Sequence, residues 1–396
     1  PPGERLRVRL SPFGRSMVLM LRRDARFLAK GFSIEARDPA SVGGSPPGSH
    51  RTSRSSDGAG DAAGAPAPTD AGCFYSGFVH GQRNSAVTLN MCNGLLGFIR
   101  FGEEQLFIEP LAGAAAPASL GLPHLVSRRS GLHVKSSHDP QLQRKYCKII
   151  PSEKAERGAR QEEGPRGRRN AIRPPAREYA VETLVVAARD VVEEHGTEGS
   201  TKLLLTGRNI VYNIFQHSSL AIPIHVRLAR LVLLHEHPPL LEIRNTGYKL
   251  LYSQLQWSHA RLNKNNTCAL KVLSDFGETG LHLFSSTFVS RTDFCVHTDE
   301  PCDTVGIAFL GGMCSDLRKC VIAEENGLGL AFTIAHELGH NMGMGHDDDD
   351  GGGGGGNSAC GLGPSIMAGE WVRGSNSSEL SWSPCSRLEL QQFLRS

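Results

Sequence analysis

The sequence predicts an α/β protein that begins with a mainly β portion. Short segments of alternating apolar and polar residues fill much of the first 111 residues, which is typical of strands. Beyond residue 177, apolar runs alternate with segments of helical spacing, the order expected of an α/β fold. The chain has 396 residues, of which 39% are hydrophobic and 21% are charged. These values are typical of a globular protein of roughly two or three domains and argue against disorder of the whole chain.

The N-terminal portion divides into two strand-rich segments and two linkers. Residues 1–37 alternate in the manner of a β-hairpin. Residues 38–72 are rich in Gly, Ser, Ala and Pro, which predicts a disordered linker. Strands are predicted again from Cys73 to Leu111, with Asn93-Gly94 as a tight turn. Residues 112–169 are polar and increasingly basic, and we predict a second disordered linker there.

The C-terminal portion has the pattern of buried strands separated by helix. Val181–Val192 predicts a buried strand that leads into a helix, and Lys202–Phe215 has helical spacing. Ile222–Leu234 predicts a further buried strand. The run of Asp and Gly residues at Asp347–Gly356 is of low complexity and predicts a mobile surface loop.

A basic tetrapeptide lies at the boundary between the two portions. Arg166, Arg168 and Arg169 form an R-x-R-R pattern in an exposed, flexible context. Such a pattern suits the acidic cleft of a proprotein convertase, with cleavage after Arg169. The prediction divides the chain into a pro-segment, residues 1–169, and a mature part, residues 170–396. The alternative interpretation is a solvated basic linker.

Composition excludes some classes of protein and favours a compartment. The net charge of +3 argues against a dedicated nucleic-acid binder, and no apolar run is long enough to span a membrane. Ten cysteines and the N-x-S/T sequons at Asn265 and Asn376 favour an oxidising, secretory route. Buried free thiols with chance sequons are the alternative. The chain begins at Pro1 without a signal peptide, and we expect a secretion signal to have been left off.

The residues most informative about function lie between His336 and His346. His336 and His340 are four residues apart, so a helix places both imidazoles on one face. Glu337 follows the first of them, and Gly343 can adopt the positive φ that ends a helix and turns the chain back. The returning chain then supplies His346 as a third nitrogen ligand. A chance occurrence of this pattern is expected on the order of 10⁻⁴ times per chain.

Three neutral histidines suit Zn²⁺ and leave a fourth position for water. The metal lowers the pKa of that water to roughly 7, and Glu337 is the predicted general base that removes its proton. The same carboxylate is predicted to pass the proton to the leaving amine. The residues therefore predict a zinc-dependent peptide hydrolase.

The extended histidine pattern resembles the metzincin signature. Asp347 after the third histidine is similar to the adamalysin branch, and Ser365–Ala368 resembles the Met-turn, with Met367 beneath the zinc ligands. Other segments resemble the ADAMTS family of secreted metalloproteinases with thrombospondin motifs, over nearly the whole chain. They are Asp293–Cys295, Glu300–Gly306, Gly312–Cys314, Arg318–Cys320 and Ser381–Ser386, then Val181–Ala187 at the start of the catalytic domain, and Cys73–Tyr75, Phe107–Pro110 and Pro123-His124 in the prodomain.

This resemblance implies a secreted zymogen: a mainly β prodomain followed by a metzincin catalytic domain with a mixed twisted sheet and a smaller lower lobe. The implied enzyme is a monomeric zinc endopeptidase that cleaves proteins of the extracellular matrix. An extended substrate would pair with Gly306, Ile307, Ala308 and Phe309. The implied disulfides are Cys73–Cys92, Cys295–Cys302 and Cys360–Cys385. Cys147 remains as a candidate cysteine switch for the fourth zinc position, although the usual following glycine is absent.

The chain departs from the family pattern at several positions. The cysteine expected shortly before Trp257 is missing, so Cys268 is the substitute partner for Cys320, and Cys314 would pair beyond Ser396. Glu182 resembles a calcium ligand, but its partner ligands from residues 268–288 and from beyond Ser396 are missing; the alternative interpretation of Glu182 is a surface acid. The alternative function is therefore a catalytically compromised protein that acts by extracellular binding alone.

Overall fold

The computed structural model describes a subset of the chain, and every structural statement below refers to that subset. The described residues are 5–37, 71–102, 104–111, 122–129, 147–150, 179–236, 249–251, 285–295, 305–313, 315, 318–347, 360, 365–368 and 381–395. Several predictions lie outside it: the basic residues Arg166, Arg168 and Arg169, both sequons, Cys268, Cys302 and Cys314, the two linkers for the most part, and the loop beyond Asp347.

The described residues form sixteen strands and three α-helices. The strands are β1 (Arg5–Leu10), β2 (Met17–Arg23), β3 (Leu28–Arg37), β4 (Phe74–Val79), β5 (Ala86–Asn90), β6 (Leu96–Phe101), β7 (Glu104–Pro110), β8 (His124–Arg128), β9 (Cys147–Ile150), β10 (Tyr179–Ala187), β11 (Ile224–Leu234), β12 (Lys249–Leu251), β13 (Ser285–Ser290), β14 (Asp293–Cys295), β15 (Gly306–Phe309) and β16 (Cys320–Glu324). The helices are α1 (Arg189–Phe215), which is broken at Gly196 where φ is 68°, α2 (Leu330–Asn341) and α3 (Pro384–Phe393).

Two seven-stranded sheets organise the molecule. The first is wholly antiparallel in the order β1-β2-β4-β5-β6-β7-β8. The second has the order β3-β11-β10-β13-β16-β15-β9, and only the β15–β16 pair in it is antiparallel. Strands β12 and β14 form a separate parallel pair. The predicted α/β class with a β-rich N-terminal portion is confirmed.

Most of the predicted local elements are present. The hairpin in residues 1–37 is the β1–β2 pair. The turn at Asn93-Gly94 joins β5 to β6, and the φ of Gly94 is 91°, a conformation that glycine adopts without steric cost. The strand predicted in Val181–Val192 is β10, and it leads directly into α1.

Strand β3 has a pairing partner that the sequence pattern did not assign. Leu28–Arg37 does not extend the hairpin but pairs in parallel with β11, at an outer edge of the second sheet. The opposite outer edge is β9, which pairs in parallel with β15. Segments from the N-terminal portion therefore occupy both edges of a sheet whose middle strands come from the C-terminal portion.

A continuous hydrophobic core joins the two sheets through helices α1 and α2. Phe27, Phe74, Phe98 and Phe107 of the N-terminal portion belong to the same buried cluster as residues of both helices. Apolar burial of this kind is the main stabilising contribution to a fold. The core fixes α2 between the second sheet and the first, and this is the helix that carries the histidine pattern.

Disulfides pin two short segments. The predicted pairs Cys73–Cys92 and Cys360–Cys385 are both present, with Cα–Cα distances of 5.0 and 5.5 Å. Cys320 is also disulfide-bonded.

No helix in the described part of the chain is both long and apolar enough to cross a membrane.

A buried arginine in helix α1 has hydrogen-bond partners for only part of its guanidinium among the described residues. The guanidinium of Arg208 is 1% exposed, and its Nη2 donates to Thr183 Oγ1 at 2.6 Å. Its Nε and Nη1 have no hydrogen-bond partner among the described residues. Burial removes water from the charged form and lowers the pKa of Arg208 to about 10. A buried charge without an anionic partner destabilises the folded state.

We therefore expect Arg208→Met to raise the free energy of unfolding by about 1–3 kcal/mol in urea titrations of the full chain at neutral pH. The Thr183 hydroxyl keeps a partner in the variant, because it donates to Arg227 O at 3.0 Å. The folded pKa is depressed, so the penalty is full below about pH 10 and declines above it. The control is Arg189→Met, in the part of α1 that precedes the break at Gly196, where the side chain is 44% exposed and little change is expected. A less stable Arg208→Met chain would contradict this account.

Candidate metal centre

Helix α2 brings the first two histidines of the pattern together. All of its residues from Leu330 to Asn341 are buried, since it packs between the two sheets. His336 and His340 are 2% and 0% exposed, and their Nε2 atoms are 3.0 Å apart. The predicted helix and the shared face of the two rings are both present.

A glycine turn delivers the third histidine. Gly343 follows the end of α2 with φ 86°, and its N–H donates to His340 O at 2.8 Å. The chain then reverses, so that His346 Nε2 lies 3.1 Å from His340 Nε2 and 3.3 Å from His336 Nε2. The three ring nitrogens form a nearly equilateral triangle.

Backbone carbonyls determine which ring nitrogens carry hydrogen. His336 Nδ1 is 2.7 Å from Ile366 O, and His340 Nδ1 is 2.7 Å from Met344 O. A carbonyl can only accept, so each Nδ1 must be the donor. Each Nε2 therefore presents a lone pair toward the centre of the triangle, which is the tautomer and orientation of a metal ligand.

Burial keeps these rings neutral. Desolvation, followed by the charge of His346, lowers the pKa of His336 to about 3. Desolvation, followed by the charges of His336 and His346, places the pKa of His340 well below its ordinary value. Both ligands are thus deprotonated at physiological pH and need lose no proton to bind a cation.

The triangle fits zinc. Ligands at the usual Zn–N distance in a tetrahedral arrangement are separated by about 3.3 Å, close to the three observed separations. Within the described residues, these histidines are the one group of three or more His, Cys, Asp or Glu residues arranged to hold a metal. Three protein ligands leave the fourth position open, which is the pattern of a catalytic rather than a structural zinc site.

Glu337 follows His336 directly on helix α2 and packs against strand β15. Its side chain is 0% exposed. A Cβ added to Gly306 would lie within 2.7 Å of both Cγ and Cδ of Glu337, so the carboxylate occupies space that any other residue at position 306 would fill. The general-base candidate therefore contacts the strand that is predicted to bind substrate.

Met367, the predicted Met-turn methionine, packs against helix α2 at Gly339. It is 0% exposed, and a Cβ at Gly339 would come within 3.2 Å of its Cε. Gly339 stands between the two helical histidines, so its missing side chain lets Met367 approach the helix. A glycine inside a helix lowers its stability, so a glycine at this position is a sequence signal that another side chain packs closely against the helix. The expectations from sequence did not include this contact.

Asp347 has a structural role that the sequence analysis did not assign to it. Its carboxylate accepts hydrogen bonds from the hydroxyls of Ser365, Ser383 and Ser386, and its backbone N–H donates to Met367 O at 3.0 Å. These bonds join the segment that follows His346 to the Met-turn and to the N-terminus of α3. The position of the third ligand thus depends on residues far away in sequence.

Asn341, directly after His340, links the metal-binding helix to strand β15. Its side-chain N–H₂ donates to Phe309 O at 3.2 Å and to Arg318 O at 3.1 Å. Gly311 N–H donates to His340 O at 2.8 Å. The predicted substrate strand Gly306–Phe309 is thereby held at a fixed distance from the histidines.

The outer edge of β15 is not open in this chain. Cys147–Ile150 pairs with it in parallel, and Cys147 is opposite Gly306 in the register. The backbone thus brings the cysteine-switch candidate to the strand that contacts Glu337. Glu182 is half buried on β10 and is outside the one metal-capable group of the described residues.

Comparison with known proteins places the chain in a family. Residues 251–396 match the model of the reprolysin (M12B) family of zinc metalloproteases. The whole chain aligns with human "A disintegrin and metalloproteinase with thrombospondin motifs 19" at 43% identity. The chain belongs to the ADAMTS family. The middle strands of its second sheet and helix α2 are those of a metzincin catalytic domain, which follows a β-rich prodomain.

Other ADAMTS proteins are also similar in sequence to this chain. The mouse protein of the same description is 39% identical over the whole chain. Human "A disintegrin and metalloproteinase with thrombospondin motifs 10" is 34% identical over 82% of the chain. The chain spans 31% of the length of the first two relatives and 30% of the third.

The histidine geometry predicts how the metal-free chain responds to acid. His336 has a folded pKa of about 3 against the usual 6.5. The unfolded chain therefore binds the proton first, and folding stability falls by about 1.4 kcal/mol per pH unit for this residue as the pH drops below 6.5. We expect urea titrations in chelator to show a shallower pH dependence for His336→Asn than for the unsubstituted chain. Equal slopes would show that the ring is not held neutral.

Proposed function

We propose that this ADAMTS chain is the zymogen of a secreted zinc-dependent endopeptidase that cleaves extracellular proteins. The observation that carries this proposal is the convergence of three Nε2 atoms within 3.3 Å of one another, two of them on the helix that also carries the buried carboxylate of Glu337. A structural zinc site would have a fourth protein ligand in place of the open position.

The residues have separate tasks in this proposal. His336, His340 and His346 would hold the zinc ion, which when bound supplies Lewis acidity to a water and to the scissile carbonyl. Glu337 removes a proton from the attacking water and delivers it to the departing amine nitrogen. Its burial keeps bulk water from competing for that proton, and the contact with Gly306 fixes the position of the carboxylate.

Strand β15 provides the site for the substrate backbone. An extended peptide that adds to the outer edge of Gly306–Phe309 lies beside Glu337 and makes main-chain hydrogen bonds independent of its sequence. The bonds from Asn341 to Phe309 O and from Gly311 to His340 O keep this edge in register with the histidines. Specificity would then come from the side-chain positions that alternate along the bound peptide.

The zymogen state is supported by the strand that covers this edge. Cys147–Ile150 precedes the predicted cleavage site at Arg166, Arg168 and Arg169 and belongs to the prodomain. While it pairs with β15, a substrate cannot. The register position of Cys147 opposite Gly306 supports the assignment of its thiolate as a ligand that occupies the fourth zinc position. A proprotein convertase is the partner proposed to cut after Arg169.

The extracellular setting rests on the disulfides and the sequons. Cys73–Cys92 and Cys360–Cys385 require an oxidising compartment to form and persist. We propose a monomer that acts on proteins of the extracellular matrix. The two N-x-S/T sequons agree with the extracellular setting.

The test is a zinc and proteolysis measurement on the cleaved chain. After cleavage at Arg169, we expect about one zinc per chain and hydrolysis of an unstructured protein such as casein, once the prodomain has been separated. A zinc chelator should stop hydrolysis, and added zinc should restore it. A folded, zinc-loaded chain with no hydrolysis would favour the alternative, an extracellular protein that acts by binding alone.

A further inference from the structure

The prodomain contacts the catalytic domain at a surface that includes neither the metal ligands nor strand β15. Strand β3 pairs along β11, with Leu28 opposite Leu228 and Ile34 opposite Leu231. This is the sheet edge opposite β15. Arg230 on β11 forms an ion pair with Glu35 on β3 at 3.2 Å. The backbone pairing begins with Leu228 N–H, which donates to Phe27 O at 2.7 Å.

An aromatic contact adds to the strand pairing. Phe332, on the metal-binding helix, is 2% exposed because the prodomain covers it. The rings of Phe98 and Phe107 pack edge-on against it, with centroids at 5.1 and 6.1 Å. The guanidinium of Arg129 lies 4.2 Å from the centre of the same ring. Aromatic pairs and cation–π contacts of this geometry contribute beyond the area that they bury.

Polar contacts from helix α1 complete the surface. Asn213 Nδ2 donates to the hydroxyls of Ser76 and Thr88 at 3.1 and 3.2 Å. Arg26 of the prodomain lies over the ring of Tyr212 at 5.5 Å. We call Tyr212, Asn213, Phe332 and the outer edge of β11 the anchor surface. None of these residues is a metal ligand or belongs to β15.

Cleavage after Arg169 breaks none of these contacts, because none of them involves the peptide bond that is cut. Loss of the prodomain would expose Phe332 and Tyr212 and leave β11 as an unpaired edge. Both consequences oppose dissociation. The anchor surface also keeps β9 close to β15. Whenever β9 dissociates from β15, its effective concentration is therefore high and it rebinds.

We propose that the anchor surface, rather than the contact at the metal, holds residues 1–169 on the catalytic domain after cleavage. The partner for this surface is the chain's own pro-segment. Activation then needs a second event that detaches β3 or the aromatic contact. This inference rests on the proposed zymogen, but it concerns binding, which can be measured without hydrolysis.

The experiment uses the full chain with Glu337→Gln, which prevents self-digestion, and with a specific viral-protease sequence in place of residues 166–169. The cut chain is passed over a size-exclusion column at about 1 µM with zinc present. We expect residues 1–169 to co-elute with the remainder. Recovery of free 1–169 would overturn the proposal and leave the hydrolase proposal untouched.

Matched variants locate the contact that holds the fragments. Phe98→Ala should weaken retention by at least about tenfold, and Phe78→Ala, at a half-exposed position of the same sheet, should not. Glu35→Arg, at a position where the side chain is 30% exposed, should weaken it as well, and the added change Arg230→Glu should restore it. Cys147→Ser should leave retention unchanged. Release by Cys147→Ser, or unchanged retention in both Phe98→Ala and Glu35→Arg, would contradict the assignment.

Discussion

Replacing Glu337 with Gln is expected to reduce peptide-bond cleavage by at least about 10³-fold while zinc binding is retained. The amide has nearly the same size as the carboxylate and fits beside Gly306, so the packing of α2 does not change. It cannot accept a proton from water at neutral pH, so the proposed general base is lost. The histidines keep their carbonyl partners at Ile366 and Met344, and the zinc content should stay near one per chain.

The measurement compares initial rates of casein cleavage by the cut, prodomain-free chains, together with zinc content by atomic absorption. Glu325→Gln is the control, because Glu325 is another buried carboxylate, bonded to His195 and Arg291 and outside the histidine group. It should retain most of the activity of the unsubstituted chain if it folds, as judged by its circular dichroism. Equal activity in Glu337→Gln and the unsubstituted chain would assign the cleavage to a contaminant or to another base.

Gly306→Ala is expected to reduce kcat by about 10–100-fold, with zinc content unchanged. A methyl group at this position would lie within 2.7 Å of Glu337 Cγ and Cδ, and real Cβ contacts are not that short. The strand is fixed by β16 and by Asn341, so the carboxylate is the part that moves. A general base displaced by even about 1 Å loses much of its effect.

The control for Gly306→Ala is Gly207→Ala in helix α1, where an added Cβ has no heavy atom within 4 Å. That change should leave cleavage unaffected and stabilise the helix slightly. A Gly306→Ala chain with full activity would show that Glu337 acts from another position, and a chain that loses zinc would show that the methyl group disturbs the histidines instead.

The metal centre could be predicted from the sequence because its information is local. His336 and His340 share a helix face through their spacing, and Gly343 marks the turn that returns His346. The helix period and the positive φ of glycine belong to the backbone and hold in any fold. The disulfide pairs Cys73–Cys92 and Cys360–Cys385 were likewise anticipated, through resemblance to the ADAMTS family, and are present.

The partners of the ligands could not be predicted in this way. The serines that hold Asp347 are 18 to 39 residues away in sequence, and no periodicity connects them to it. The closeness of Gly306 to Glu337 is equally invisible, since it depends on how a strand packs against a helix. Sequence spacing predicts which residues share an element, but not which elements meet.

The pairing of β3 with β11 is a further contact that sequence spacing could not predict. Alternation of apolar and polar residues in Leu28–Arg37 marks a strand, but it does not say which strand lies beside it, because any edge offers the same backbone donors and acceptors. The sequence by itself determined the histidine trio, the glycine turn and the class of fold, all of which follow from local backbone geometry. Only the tertiary structure decided that the prodomain occupies both edges of the catalytic sheet and covers Phe332. The physical reason is that these partners are distant in sequence, and they meet because the contact buries apolar surface and pairs strand edges that would otherwise be free.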